Sequence, residues 1–375
     1  MKKKLFIVVN GDRFFLSHRK GIALAARDSG WDVTVITIDT GEMKDIEALG
    51  FRCINLPMNR SGMNLREELG TLRFFCRLYR KEKPDVVHHV GMKIILWGTL
   101  AAKFTRVPGV VNAISGLGGF FAEENKGMAA RLMPGVLRFS HNRPNLLCIF
   151  QNQEDRSYYV QHHIIEEKQA RFIKGSGVDL SVFSYVPEPE DGPVRVILTA
   201  RMIVEKGIFL LVEAAEKLRA EYEGAVEFLL VGGLDDHPGA ITRDELEAAC
   251  DGSYIKWLGY RTDIRDLLAA SHIVAFPSYY MEGLPKSLIE ACAIGRPIVT
   301  SNSIGCKDTV IDGENGFLIP PKDVVSLADR IKRLIDDPEL RARMGRASRS
   351  YAEANFSIQD VIAKHLAIYN ELLTA

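Results

Sequence analysis

The 375-residue sequence lacks the features that would place it among membrane-spanning, disulfide-stabilised or zinc-binding proteins. No stretch approaches the roughly 18 consecutive apolar residues of a membrane-spanning helix. The N-terminal segment MKKKLFIVVNGDRFF has no small-residue cleavage site, so we expect a cytoplasmic protein. The six cysteines include no Cys-x-x-Cys pair and none has a histidine at ligand spacing, which predicts reduced thiols rather than a disulfide framework or a zinc site.

Net charge is also absent, because 48 Lys and Arg balance 48 Asp and Glu, but the two halves of the chain differ. Residues 1–183 hold 27 basic against 18 acidic residues, and residues 184–375 hold 21 against 30. Basic residues concentrate in segments 60–83 and 126–143, and in the latter Arg131 and Arg138 interleave with apolar side chains. This pattern predicts a helix at an anionic membrane surface; a helix packed on its own domain is the alternative.

Short apolar runs alternate with helical patterns along the chain, which is typical of βαβ units and a parallel sheet. The length favours two domains, and the one Pro-, Gly- and acid-rich stretch is VPEPEDGP. We therefore predict domains at 1–183 and 193–355, a linker at 184–192, and a C-terminal helix within 356–375 that packs back toward the first domain. The predicted fold class is α/β, with two Rossmann-like doubly wound domains facing across a cleft that binds ligands at strand carboxyl ends.

A cationic loop follows the first predicted strand of the second half. It places Arg201 and Lys206 five residues apart, immediately before a predicted helix that starts at Gly207. Two cations beside a helix N-terminus suit a diphosphate, because the free N–H groups and the helix dipole already favour an anion. On this loop alone, two solvated surface cations remain the alternative.

Two glutamates occupy the segment PSYYMEGLPKSLIEACAIGRP, one before a predicted helix and one in its second turn. Glu290 is suited to accept two hydrogen bonds from a ribose diol, and Glu282 to hold the hydroxyls of a sugar. Gly283 lets a backbone approach a ligand closely. The alternatives are that Glu282 serves the helix dipole and that Glu290 is an i,i+4 partner of Lys286.

These residues belong to a series of segments that resembles the Glu-x7-Glu family, the retaining glycosyltransferases of family 4 with the GT-B fold. The matching segments of the second half are ARMIVEKG, EFLLVGG, IKWLGYRTDI, SYYMEGLPKSLIEACAIGRPIVTS, NSIGCKDTVIDGENGFLIPPKD and DDPELRARMG…YAEANFS, in the family's order. In the first half, VHHVGMKIILWGTLAAKFTRVPGVVNAISGLGGFF and IFQNQEDRSYY resemble bacterial enzymes that extend lipid-linked capsule, O-antigen or glycoprotein oligosaccharides.

The resemblance implies a retaining hexosyltransferase of EC class 2.4. Its donor would be a nucleotide sugar, with a UDP-linked hexose or N-acetylhexosamine as the best match, and its acceptor a glycan on a lipid diphosphate in surface polysaccharide assembly. The resemblance implies no other cofactor and no nucleic-acid partner, and it favours peripheral attachment at the inner face of the cell membrane.

The same resemblance assigns roles to individual residues. Glu282 should hold the transferred sugar, Glu290 the donor ribose, and Arg201 with Lys206 the diphosphate. Further donor contacts are expected from the amides of Gly283 and Leu284, from the base-binding segment with Trp257 and Leu258, and from Gly11 in the first strand-to-helix loop. For Gly11, an ordinary turn glycine is an equally good interpretation.

The sequence lacks a histidine that many relatives carry, and it shows no metal-binding motif near the proposed site. Many relatives carry a histidine after the fifth strand of the first domain, where this chain has Ser115. His18, His88 and His89 are candidate replacements, although a lone histidine is more often packed or exposed. No Asp-x-Asp metal motif lies near the proposed site, because Asp235–Asp236 belongs to a different loop, so we expect no metal.

Two other function classes remain open. A sugar-nucleotide epimerase of similar fold would not be expected to carry Arg201, Lys206, Glu282 and Glu290 together. A catalytically inert sugar-nucleotide-binding subunit of an assembly complex would tolerate their loss. Because all four residues are present, the sequence favours transfer activity.

Overall fold

A computed structural model describes residues 2–59, 65–117, 128–235 and 237–374. The chain divides into two compact units: unit 1 is Met1–Ser176 with Ile358–Ala375, and unit 2 is Gly177–Ser357. Within the described residues, no helix combines the length and the apolar character needed to cross a bilayer.

Unit 1 contains a seven-stranded parallel sheet in the order β3-β2-β1-β4-β5-β6-β7. Its strands are β1 Lys4–Val9, β2 Asp32–Thr37, β3 Arg52–Asn55, β4 Val86–Val90, β5 Gly109–Ile114, β6 Leu146–Phe150 and β7 Ala170–Phe172. Its first helices are α1 Asp12–His18, α2 Lys20–Asp28, α3 Met43–Ala48, α4 Leu65–Glu82, α5 Met92–Thr105, α6 Met128–His141 and α7 Gln153–Gln161. Strands β4, β5 and β6 are buried at every residue, as expected where helices cover both faces of a parallel sheet.

Unit 2 contains a six-stranded parallel sheet in the order β10-β9-β8-β11-β12-β13. Its strands are β8 Val194–Thr199, β9 Val226–Val231, β10 Ile255–Trp257, β11 Ile273–Phe276, β12 Ile298–Ser301 and β13 Gly316–Ile319. Its helices are α8 Ile208–Tyr222, α9 Arg243–Ala249, α10 Ile264–Ala269, α11 Lys286–Ile294, α12 Val324–Asp336 and α13 Pro338–Asn355. The strand order reverses between β8 and β11, and such a switch point opens a crevice at the strand carboxyl ends.

The last helix, α14 (Ile358–Thr374), returns to unit 1. It buries Val361, Ile368 and Leu372 in a cluster with β1 and β2, and its Tyr369 hydroxyl lies 2.7 Å from Nδ1 of His88 on β4. The C-terminal helix is therefore part of the core of unit 1.

The division between the units falls at Ser176/Gly177 rather than at the predicted 183/184. The predicted linker, residues 184–192, bonds to unit 2: the Val186 amide donates to the Ile294 carbonyl at 3.2 Å, and Glu188 forms an ion pair with Arg341 at 2.9 Å. The segment that the composition predicts to be a linker is thus packed against unit 2. Its prolines favour an extended backbone, with which side chains of unit 2 can form hydrogen bonds.

Candidate functional site

The switch point of unit 2 brings together the loops that follow β8 and β11. The amides of Tyr279 and Tyr280, after β11, donate to the carbonyl of Glu205, after β8, at 3.0 and 3.2 Å. Gly207 lies in the left-handed region at φ 80°, and a Cβ there would come within 2.4 Å of the Pro277 carbonyl oxygen. The close contact of the two loops therefore requires glycine at position 207.

Lys206 and Glu282, 76 residues apart in sequence, form an ion pair between these loops. Their side chains keep only 10% and 13% of their surface exposed. The Ser278 hydroxyl lies 3.3 Å from Oε1 of Glu282, and the rings of Phe276 and Tyr280 lie 5.6 and 5.1 Å from Nζ of Lys206, a distance at which aromatic faces attract a cation. Lys206, predicted to bind the diphosphate, and Glu282, predicted to hold the sugar, are thus direct neighbours.

Arg201 is the exposed cation of the β8 loop, and its Nη1 contacts Oδ2 of Asp235 at 3.1 Å. Asp235 lies in a different loop, as expected, but this loop follows β9, the neighbour of β8 in the sheet, and so it lies beside the β8 loop. Asp236 lies outside the described residues. Within the described part of the chain no group of three or more His, Cys, Asp or Glu could hold a metal ion.

Glu290 lies in the second turn of α11 with 13% of its side chain exposed. Its Oε1 is 3.7 Å from Nζ of Lys286, so the i,i+4 contact weighed from the sequence is present at long range. Burial raises the pKa of Glu290, while the charge of Lys286 acts in the opposite direction. A ligand that donates hydrogen bonds to the Glu290 carboxylate would stabilise its charged form.

Gly283 and Leu284 are buried in the turn that leads into α11, which begins at Lys286 with Pro285 at its N-cap. The loop after β12 packs on this turn, since a Cβ on Gly305 would come within 2.2 Å of the Gly283 carbonyl oxygen. No side chain caps α11 at Pro285, among the residues described. The first amides of the helix are therefore suited to an anion.

Sequence inspection missed Ser278, which joins three loops. Its hydroxyl lies 3.2 Å from the Glu205 carbonyl, and its own carbonyl accepts a hydrogen bond from the Ser303 hydroxyl, after β12, at 2.8 Å. It is fully buried. Its position two residues after the apolar strand β11 and four residues before Glu282 is the pattern that could have identified it.

Trp257 and Leu258 are predicted to contact the base; Trp257 is the last residue of β10, and Leu258 follows it. The Trp257 indole N–H donates to the Gly232 carbonyl at 3.0 Å, and the Leu258 amide donates to the Leu230 carbonyl at 2.9 Å. Both contacts hold the segment against β9, and beyond them Tyr260 is 63% exposed. A role for this segment in base binding stays a prediction.

Gly11 precedes α1 in unit 1. Its φ of 174° is an extended conformation open to any residue, so backbone strain does not require glycine. A Cβ on Gly11 would meet no described atom within 4 Å, which leaves its surroundings open to a ligand. The predicted donor contact at Gly11 remains untested.

Two of the three candidate histidines, His88 and His89, are buried and form hydrogen bonds inside unit 1. His88 bonds to Tyr369, and His89 lies between the Tyr79 hydroxyl at 2.9 Å and Oδ1 of Asn112 at 3.0 Å. Burial lowers the pKa of His89 to about 3, so it is neutral at physiological pH. His18 stacks on the Phe14 ring at 4.3 Å, near the surface.

Two family models match the chain: "Glycosyl transferases group 1" over residues 186–351 and "Glycosyl transferase 4-like" over residues 4–152. The chain is 26% identical to the N,N'-diacetylbacillosaminyl-diphospho-undecaprenol alpha-1,3-N-acetylgalactosaminyltransferase of Campylobacter jejuni, over 96% of this chain and 98% of that protein. It is 25% identical to the capsular polysaccharide biosynthesis glycosyltransferase CapM of Staphylococcus aureus, over 92% of each. Among solved structures, Anabaena Alr3699/HepE in complex with UDP and glucose aligns with a TM-score of 0.74 at 19% identity, over 98% of both chains.

The similarity to known proteins agrees with the fold described above, two Rossmann-like domains with parallel sheets, and confirms the resemblance seen in the sequence. Each family match falls within one half of the chain and covers most of one sheet. The chain is a hexosyltransferase with the GT-B fold, in which unit 2 matches the glycosyl transferases group 1 model and unit 1 matches the glycosyl transferase 4-like model.

Proposed function

We propose that this enzyme transfers a hexose or N-acetylhexosamine, with retention of configuration, from a UDP-sugar to a glycan on a lipid diphosphate during assembly of a bacterial surface polysaccharide. The relatives' names support the acceptor class, since the Campylobacter enzyme carries diphospho-undecaprenol in its name and CapM serves capsule biosynthesis. The UDP and glucose in the Anabaena structure support the donor class.

One observation carries the proposal: the switch point of unit 2 gathers two cations, two low-exposure carboxylates and an uncapped helix start. Arg201 and Lys206 would bind the diphosphate, with the Gly283 and Leu284 amides assisting. Glu290 would accept the ribose hydroxyls and Glu282 the hydroxyls of the sugar. Trp257, Leu258 and Gly11 complete the proposed donor contacts, with no metal involved.

The same cations supply the catalysis that we propose. As the glycosidic bond breaks, negative charge develops on the distal phosphate, and Lys206 with Arg201 stabilises it. The acceptor hydroxyl then attacks the anomeric carbon on the face from which the diphosphate departs, and its proton passes to the departing diphosphate. A retaining enzyme with a carboxylate nucleophile is less well supported, because the proposal assigns Glu282 to the hydroxyls of the sugar and Glu290 to the ribose, which leaves neither carboxylate for the anomeric carbon.

We further propose that unit 1 works at the inner face of the cell membrane. Phe104 and Phe139 are 51% and 54% exposed with their rings 6.5 Å apart, and Nζ of Lys103 lies 4.5 Å from the Phe139 ring. Aromatic side chains beside a cation suit the interface of an anionic bilayer. Residues 118–127, in which the predicted membrane segment begins, lie outside the described residues, as do the side chains of 128–133.

The anomeric configuration of the product tests the transfer reaction. The enzyme would be incubated with UDP-hexoses and UDP-N-acetylhexosamines and an undecaprenyl-diphosphate-linked sugar, and the product examined by proton NMR. We expect a new linkage that keeps the donor's α configuration. A β linkage would contradict retention, and turnover of the UDP-sugar to its epimer without transfer would favour the epimerase alternative.

The ribose assignment is tested by calorimetric titration of UDP into Glu290→Ala. Loss of a charge-assisted hydrogen bond should weaken binding by about 1.5 to 3 kcal/mol. Lys286→Ala is the matched control, since it removes the helix partner of Glu290 and leaves the carboxylate in place. Wild-type affinity in a folded Glu290→Ala protein would refute the assignment.

Liposome flotation tests the membrane proposal. The wild-type protein should float with anionic vesicles at low salt and detach at high salt, because screening weakens the attraction. Phe104→Ser/Phe139→Ser should float poorly, whereas Val325→Ser, which removes a 69% exposed valine of unit 2, should float normally. Equal flotation of the two variants would contradict the assignment of the surface.

A further inference from the structure

The ion pair of Lys206 and Glu282 presents a conflict for donor binding. Without a donor, each side chain is the counter-ion of the other, and both are about nine-tenths buried. The proposed function gives them different targets, the diphosphate for Lys206 and the sugar for Glu282. Bringing a diphosphate to Lys206 while Glu282 stays in place would put like charges close together where little water screens them, and this is unfavourable.

We propose that Glu282 is an internal counter-ion that the donor diphosphate displaces from Lys206, so that phosphate binding releases Glu282 to the sugar. The inference rests on the proposed function and deepens it. In the free enzyme Glu282 keeps the buried ammonium paired, which avoids an isolated buried charge. In the donor-bound enzyme the diphosphate pairs with the ammonium of Lys206 instead.

Ser278 is the positioning residue of this exchange. Its hydroxyl has one proton and two acceptors within reach, Oε1 of Glu282 at 3.3 Å and the Glu205 carbonyl at 3.2 Å, and it accepts from the Tyr280 amide at 3.3 Å. It donates to Glu282 while Lys206 holds that carboxylate. When Glu282 leaves, the proton turns to the Glu205 carbonyl, so the buried hydroxyl is satisfied in both states.

A competing counter-ion lowers the affinity of the site for the phosphate group. Removing the negative charge of Glu282 should therefore tighten the binding of any ligand that uses Lys206, while damage to the site would weaken it. A gain in affinity separates competition from a structural role. The opposite effect is expected on turnover, because the sugar loses its partner.

Calorimetric titration of inorganic pyrophosphate and of UDP tests the exchange. We expect Glu282→Gln to bind pyrophosphate about tenfold more tightly than the wild type, which corresponds to the loss of one charge-assisted contact of the competitor. Ser278→Ala should show a smaller gain, and Ser278→Thr, which keeps the hydroxyl, should return affinity toward the wild-type value. Uridine, which has no phosphate, should bind Glu282→Gln and wild type alike.

Glu213→Gln is the matched control, since it removes one carboxylate of unit 2 that is 61% exposed. Its pyrophosphate affinity should equal that of the wild type. Unchanged or weaker pyrophosphate binding by Glu282→Gln overturns the exchange. If Glu282→Gln gains affinity for pyrophosphate while no form binds UDP, the exchange stands and the UDP assignment of the proposed function fails.

Discussion

Each unit of this glycosyltransferase contains a group of buried polar side chains, and the two groups differ in charge and exposure. In unit 1, Tyr79, His89, Thr99, Asn112 and His141 are at most 2% exposed and bond to one another. In unit 2, Lys206 and Glu282 are a charged pair at the carboxyl edge of the sheet, and each keeps a tenth or more of its side chain accessible.

The difference separates a structural network from a binding site. Burial lowers the pKa of His89 to about 3 and that of His141 to about 4, so these rings are neutral near pH 7 and offer no charge to an anion. Their hydrogen bonds are also satisfied internally, as in most buried polar networks. Charged groups that retain access to solvent, by contrast, can exchange partners when a ligand arrives.

Among the substitutions that test this difference, loss of Lys206 should have the largest effect, and the effect should be on turnover. We expect Lys206→Ala to lower kcat about 10²- to 10³-fold, because it removes a cation that stabilises the leaving diphosphate. Affinity for UMP, which lacks the distal phosphate, should change much less. Steady-state kinetics would measure the loss, with Lys217→Ala, a 47% exposed lysine of α8, as control. Equal turnover of the two variants would place the cation role elsewhere.

Loss of Asn112 should affect stability and leave donor binding unchanged. Its amide contacts His89, Thr99 and His141 at 2.9 to 3.0 Å, and Asn112→Ala leaves these buried groups without their partner. We expect a loss of about 2 to 3 kcal/mol, measured by urea unfolding followed through far-UV circular dichroism. Asn370→Ala, an exposed asparagine of α14, is the control. A variant of unchanged stability would mean that the network is not structural.

Glu290→Gln should separate stability from binding within unit 2. Because burial raises the pKa of Glu290, the folded protein loses stability as the pH rises above the ordinary pKa of a glutamate, and the full cost of the buried charge is present above the raised pKa. Glutamine removes this cost, so the melting temperature should rise near pH 7 and the gain should vanish in acid, where Glu290 is protonated. UDP affinity should fall. A lower melting temperature at neutral pH would contradict the buried-charge account.

The smallest expected effect is that of chelation. Because Arg201, Lys206 and helix amides would supply the positive charge, transfer in the presence of EDTA should proceed at the untreated rate. The rate of sugar transfer before and after chelation measures this directly. A loss that Mg²⁺ or Mn²⁺ restores would mean that a metal ion shares the diphosphate.

The sequence was sufficient for elements with strong local patterns. Alternating apolar runs predicted two parallel-sheet domains, and the spacing of Glu282, Gly283 and Glu290 placed them correctly around the start of α11. Contacts between distant segments could not be predicted in this way. Lys206 meets Glu282, and Arg201 meets Asp235, because the strand order places β8 between β9 and β11. The sequence pattern within each strand does not determine the order of the strands in the sheet.

The domain boundary illustrates the same limit. Proline, glycine and acidic residues mark residues 184–192 as a linker, yet Arg296 of unit 2 donates to the Val186 carbonyl at 2.7 Å and to the Pro187 carbonyl at 3.2 Å. Hydrogen bonds between a buried arginine and the backbone of a segment far from it in sequence depend on tertiary structure. Composition predicts the extended conformation of such a segment and not the surface along which it runs.

The thermal shift produced by UDP in two variants tests the central claim most directly, because a ligand that binds only the native state raises the melting temperature. The account predicts that Asn112→Ala melts at a lower temperature than wild type but keeps the full UDP-induced rise. It predicts that Glu290→Ala melts no lower than wild type and loses most of that rise. A UDP response lost in Asn112→Ala and retained in Glu290→Ala would contradict the assignment of donor binding to unit 2.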